Sequence, residues 1–260
     1  MLRRLVLLAA LVVGVALGAG PADAITDGEL DGNGHPYVGL MVAQDSSGRP
    51  MWRCSGTLIS ATVFLTAGHC TEAPAAHVEI WFAADARTAP GYPFTGDVGG
   101  TPYTHPDYDP NRFFIRDLGA VVLDTPVQMA NYGLLPTVDQ LDSLKPRRST
   151  TFTAVGYGLQ KSLPAAIPGS EDTALRIRMR AEPHLLQINT GIVGNFSVLL
   201  SNNANTGGTC FGDSGGPNFI GNTRVIGGVT SFGLNGTCGG TGGVFRVDRS
   251  WSLNWINSLP

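Results

Sequence analysis

The chain has 260 residues, 43% of them hydrophobic and 14% charged, with a formal charge of −3 at neutral pH. That length can bury a full core as one large or two small units. The charge is mild and dispersed, with no basic stripe and no acidic tail, so neither a nucleic-acid partner nor a solvating arm is expected. Lysine occurs only at 145 and 161 beside abundant arginine, which reads as genome composition bias.

In chain order, M-L-R-R precedes an apolar run from Leu5 to Leu17 and an A-x-A site at Ala22–Ala24. This pattern reads as a secretory signal peptide over residues 1–24, its apolar part too short to span a membrane comfortably. An extracellular protein, free of the membrane after cleavage, is expected. Four cysteines in an exported chain favour two disulfides over a metal site. Three pairings are possible, and proximity in sequence favours Cys54–Cys70 and Cys210–Cys238. With no C-x-x-C pair and no clustered carboxylates, neither a metal nor another cofactor is expected.

Short β-rich runs separated by turn residues then follow one another: 37–42, 55–60, 77–82, 118–123, 151–155, 174–181, 196–200, 225–232 and 244–247. In A-L-R-I-R-M-R-A (174–181) apolar residues and arginines alternate, which predicts one buried and one solvated face. Residues 131–148 lack clean alternation, and 159–172 reads as a Pro/Ser-rich surface loop. The chain closes on D-R-S-W-S-L-N-W-I-N-S-L-P, where Asp248 or Ser250 could cap a short helix over 249–259. Many short strands with Gly/Pro turns predict an all-β fold of the sandwich or closed-barrel kind.

The chemistry gathers around C-F-G-D-S-G-G-P (210–217). Ser214 alone is a poor nucleophile; it needs an imidazole to take its proton and a third group to orient that ring. Of five histidines (His35, His69, His77, His105, His184), His69 follows an apolar strand and stands beside Cys70, whose crosslink would hold its turn rigid. Asp117, at the mouth of the apolar run L-G-A-V-V-L, is the best orienting acid. Asp107, Asp109 and Asp124 sit in turns. The glycines around Ser214 let the backbone turn tightly, so that the N–H groups of Gly212 and Ser214 can form an oxyanion hole.

The segments T-A-G-H-C (66–70), D-L-G-A-V-V-L (117–123) and G-D-S-G-G-P (212–217) resemble those of the chymotrypsin/trypsin family of serine endopeptidases. Their order, His then Asp then Ser, is not that of subtilisins or α/β-hydrolases. Weaker echoes are G-Y-G (156–158), H-P-D-Y (105–108) and S-F-G (231–233), and the likeness covers 25–260. It implies two six-stranded antiparallel β-barrels (about 25–140 and 141–248) with the active site between them. A secreted, bacterial, monomeric endopeptidase acting on proteins or peptides is expected.

The resemblance carries two finer expectations. The family's freed I-V-G-G terminus pairs with the aspartate before the catalytic serine. Here I-T-D-G follows the cleavage site, so one cut would both export the chain and free the Ile25 ammonium to pair with Asp213. In trypsin-like members an acid six residues before the serine selects Arg or Lys. Here that position is Gly208, and the pocket would be completed by Ser231, Phe232, Gly233 and Gly243, with no acidic residue in 228–246. An uncharged floor cannot offset the desolvation of a buried cation, so apolar or aromatic P1 residues are expected. Two other readings are a non-catalytic binding protein, which would betray itself by a missing triad member, and a side activity on small esters.

Overall fold

The strands of the computed structural model, which describes residues 25–112, 115–160 and 175–260, form two sheets. The expected signal peptide and most of the 159–172 loop lie outside the described residues.

The first sheet is a closed barrel of β2 (Val38–Gln44), β3 (Pro50–Leu58), β4 (Val63–Thr66), β5 (His77–Trp81), β6 (Val98–Thr104) and β7 (Gly119–Leu123), in the order β2-β3-β4-β7-β6-β5. Closure comes from β2 pairing with both β3 and β5. Successive β2 residues point to opposite faces, Met41 with Ile80 into the barrel and Leu40 with Ser55 toward the second sheet, so V-G-L-M-V-A-Q is buried along its whole length rather than alternating. Met41, Leu58, Phe64, Val78, Ile80 and Val121 fill the barrel.

The second sheet joins β1 (Glu29–Leu30), β8 (Phe152–Gly156), β9 (Met179–Ala181), β10 (Leu185–Thr190), β11 (Gly194–Asn202), β12 (Pro217–Ile220), β13 (Ile226–Gly233) and β14 (Gly240–Arg246). Its order is β1-β9-β8-β12-β13-β14-β11-β10. β9 and β10 are successive parts of one bent run, tied at the bend to the start of β8 by a Thr151–His184 bridge. The sheet therefore curls back on itself, and with the edge strand β1 set aside it matches the expected six-stranded barrel. Phe152, Leu185, Val198, Leu200 and Val244 are packed inside it.

Three local readings are corrected. β1 belongs to the second sheet, paired with β9, so the segment after Ile25 crosses out of the first barrel. Among the described residues of the run 174–181 only Met179–Ala181 is strand, and Arg178 is 1% exposed rather than solvated. Its guanidinium pairs with Asp31 at 2.9 Å and donates to the carbonyls of Gly32, Val38 and Phe82, so its charge is neutralised and each of its nitrogens has a hydrogen-bond partner. The last helix, α2 (Ser250–Ile256), has Arg249 at its N-cap and no side-chain cap. Asp248 is occupied elsewhere, accepting from Leu141 N and from Arg246.

Candidate active site

His69 sits in α1 (Gly68–Thr71), a single helical turn directly after β4. Cys70 is bonded to Cys54 of β3, and its carbonyl accepts from Trp52 Nε1 at 3.0 Å, which together pin that turn to the barrel wall. Asp117 precedes β7 and is fully buried. Its carboxylate accepts from the His69 backbone N–H at 2.9 Å and lies 2.9 Å from Nδ1 of the same ring. The backbone bond and the ring bond lock histidine and aspartate as a unit, and Nε2 is left as the free ring nitrogen. Burial pulls the His69 pKa down, but the Asp117 charge and hydrogen bond, with help from Glu72, outweigh it and the net shift is upward.

Ser214 reaches the same place from the other sheet. It and His69 line one cavity of about 330 Å³ between the sheets, although among the described residues no hydrogen bond joins them. The loop that presents Ser214 has Gly212 at φ +93° and Gly215 at φ +76°. A Cβ at Gly215 would collide with Thr66 Oγ1, so the close approach of this loop to β4 requires glycine there. Gly215 N and Gly216 N are spent on Thr230 O and Asp213 O, whereas the N–H groups of Gly212 and Ser214 have no partner among the described residues. Two unspent donors beside a serine hydroxyl can receive a developing oxyanion.

Asp213 is fully buried behind Ser214, taking the amides of Gly158 and Cys210 at 2.8 and 2.9 Å. Burial pushes its pKa up to about 7 against the pull of those amides and of Arg53. Ile25 is also fully buried, its side chain with Ala154, Met179 and Ala181. Among the described residues no hydrogen bond or ion pair links it to Asp213; in the uncut chain its nitrogen is a peptide amide.

Of the expected pocket residues, Ser231, Phe232 and Gly233 line the cavity, and Thr209, Phe211 and Asn235 join them. Gly208 and Gly243 do not. A Cβ on Gly208 would meet the Asn202 carboxamide, and one on Gly243 the Phe232 ring, so both glycines lie beneath other side chains. Among the described residues no carboxylate lines the cavity. Cys210 and Cys238 are bonded at its rim. The sulfurs of Cys54 and Cys70 come within 4.8 Å of a His69 nitrogen, but a disulfide offers no thiolate to a metal.

Sequence reasoning missed one function of Ser231: its hydroxyl donates to Asp117 Oδ2 at 2.5 Å across 114 residues of chain. The three acceptor contacts of Asp117, to His69 N, His69 Nδ1 and Ser231 Oγ, fix the carboxylate from both sheets. Nothing local in S-F-G signals this partner; only the approach of Ser231 on β13 to Asp117, which precedes a strand of the other sheet, supplies it.

The family model described as Trypsin matches residues 29–256. Brachyurin of Leptuca pugilator is 32% identical over 243 residues, covering 87% of this chain and 93% of its own. Chymotrypsin of Phaedon cochleariae is 27% identical, over 86% of this chain and 77% of its own. Ovochymase of Halocynthia roretzi is 26% identical over 78% of this chain, which spans only 13% of that longer protein. These relatives are animal proteins and lend no support to a bacterial source. Among solved structures, an HL collagenase superposes with a TM-score of 0.68 at 20% identity, over 90% of this chain and 97% of its own. Human heparin binding protein gives 0.67 at 22%, over 90% and 96%, a likeness of fold alone. The chain belongs to the trypsin family of serine endopeptidases.

Proposed function

We propose that Ser214, His69 and Asp117 form the catalytic triad of a secreted, monomeric endopeptidase. The observation that carries this reading is the Asp117 carboxylate on His69 Nδ1 at 2.9 Å, with the ring and Ser214 lining one cavity. Ser214 Oγ attacks the peptide carbonyl while His69 Nε2 takes its proton. The Gly212 and Ser214 amides receive the oxyanion, a single such donor being worth about 2.7–4 kcal/mol. His69 then protonates the leaving amine, and water repeats the cycle on the acyl-enzyme. Closing the gap between His69 and Ser214 is left to substrate, since catalytic hydrogen bonds often tighten only in the complex.

The side chain before the cleaved bond would enter the cavity between Thr209 and Phe232, whose lining among the described residues holds no acid. Apolar or aromatic P1 residues suit such a site, and a cation does not. Export would follow from the M-L-R-R segment and the cut after Ala24, with Ile25 then pairing with Asp213. No helix among the described residues is long and apolar enough to cross a membrane. A panel of peptides differing only at P1, run on the chain beginning at Ile25 and on its Ser214→Ala variant, tests the reading. Fastest turnover after Phe, Tyr or Leu, abolished in the variant, is the expected outcome. Fastest turnover after Arg would overturn the pocket assignment, and activity surviving in Ser214→Ala would overturn the triad.

A further inference from the structure

Ser55 of β3 is fully buried in the first barrel, yet most of its polar contacts face the second. Its backbone N–H donates to Ser214 O at 2.8 Å, and its hydroxyl donates to Gly212 O at 2.9 Å. The same hydroxyl accepts from Tyr157 N at 2.9 Å. Since an amide can only donate, the single hydroxyl proton is left to point at Gly212. Its own carbonyl is held from behind by Thr66 Oγ1 at 2.8 Å. Ser55 thus grips the carbonyls of the two residues whose amides stand unpaired at the cavity. Tyr157 and Gly158, the latter bonded to Asp213, brace the other flank of that loop.

The neighbouring residue gives the arrangement its purpose. Cys54 is bonded to Cys70, next to His69. One dipeptide of β3 therefore sets the imidazole turn through Cys54 and the nucleophile loop through Ser55. We propose that Ser55 is a positioning residue for the oxyanion hole, holding Gly212 and Ser214 of the second barrel in register with His69 of the first. It touches no substrate and acts through the Gly212–Ser214 backbone. The inference rests on the triad reading above. Removing the hydroxyl leaves the Gly212 carbonyl without its donor and the Tyr157 amide without its acceptor, in a site water does not reach.

The test compares the chain beginning at Ile25 with its Ser55→Ala and Ser55→Cys variants. Active sites are first titrated with a fluorophosphonate. In Ser55→Ala, kcat for an anilide substrate falls about tenfold (about 1.4 kcal/mol) while KM stays within about twofold, because the loss lies in the transition state alone. A peptide aldehyde, whose adduct carries the oxyanion, binds weaker by the same factor, whereas the product peptide binds unchanged. Ser55→Cys, with a sulfhydryl in place of the hydroxyl, falls between. An unchanged kcat, or equal losses in kcat, KM and product binding, overturns the proposal. So does failure of both variants to fold, which would make Ser55 a folding residue only. If the unsubstituted chain shows neither titration nor turnover, the failure belongs to the triad reading instead.

Discussion

Asp213 gives the sharpest test of the expected activation step. Its carboxyl is 0% exposed and its pKa stands at about 7, against 3.8 for an ordinary aspartate. The unfolded chain therefore loses this proton about three pH units before the folded chain does. Stability from this group is complete below pH 3.8 and drains away as pH rises to about 7, a difference of about 4 kcal/mol at about 1.36 kcal/mol per unit. A free Ile25 ammonium beside the carboxylate would cancel the loss by pairing with the ionised form. The assay is urea unfolding between pH 4 and 8 in a Ser214→Ala background, which prevents self-digestion. Chains retaining residues before Ile25 and chains beginning at Ile25 are each compared with their Asp213→Asn counterparts. Any constant effect of the amide drops out of the pH dependence of the difference. In the longer chain, Asp213 should lose about 4 kcal/mol relative to Asn across that range. In the chain beginning at Ile25 the two curves should run parallel up to about pH 8, where an α-amino group deprotonates. Identical pH dependence in both chains would refute the pairing.

Further outcomes follow from the site. The raised His69 pKa places the acid limb of the kcat/KM profile above the ordinary imidazole value of about 6.5; activity is lost as pH falls through that midpoint, and a midpoint below it would contradict the Asp117 contact. Ser231→Ala removes a hydrogen bond to a charged carboxylate, so kcat/KM should fall about ten- to a hundredfold while the same midpoint moves upward, the carboxylate's charge being left to His69. Asp117→Asn should lower kcat on the order of 10⁴-fold with the fold intact by circular dichroism. Replacing both Cys210 and Cys238, 28 residues apart, by serine should lower stability by about 3–4 kcal/mol in denaturant unfolding, the loop entropy that the crosslink removes.

The fold was legible where the signal is local. The run at 37–42 reads as β2 and that at 118–123 as β7, because each carries β-branched or apolar residues between turn signals. β6 and β12 escaped the pattern: V-G-G-T-P-Y-T is broken by glycines and a proline, and P-N-F-I is four residues long. Arg178 could not be read as buried, since its partner Asp31 is 147 residues away and its other acceptors include the distant carbonyls of Val38 and Phe82. The motifs around His69, Asp117 and Ser214 stand out because turn and nucleophile chemistry constrain neighbours in sequence. Ser55 and Ser231 carry no such mark; each earns its place through a contact more than a hundred residues distant. Gly208 looked like pocket floor and Gly243 like pocket wall by position, but Asn202 and Phe232 cover them from other strands.

The most direct test of the nucleophile is a fluorophosphonate reaction followed by peptide mapping of the adduct. The triad assignment predicts a single covalent adduct on Ser214 in the chain beginning at Ile25, and at most trace labelling in His69→Ala. Labelling at another serine, or undiminished labelling of Ser214 without His69, would contradict it.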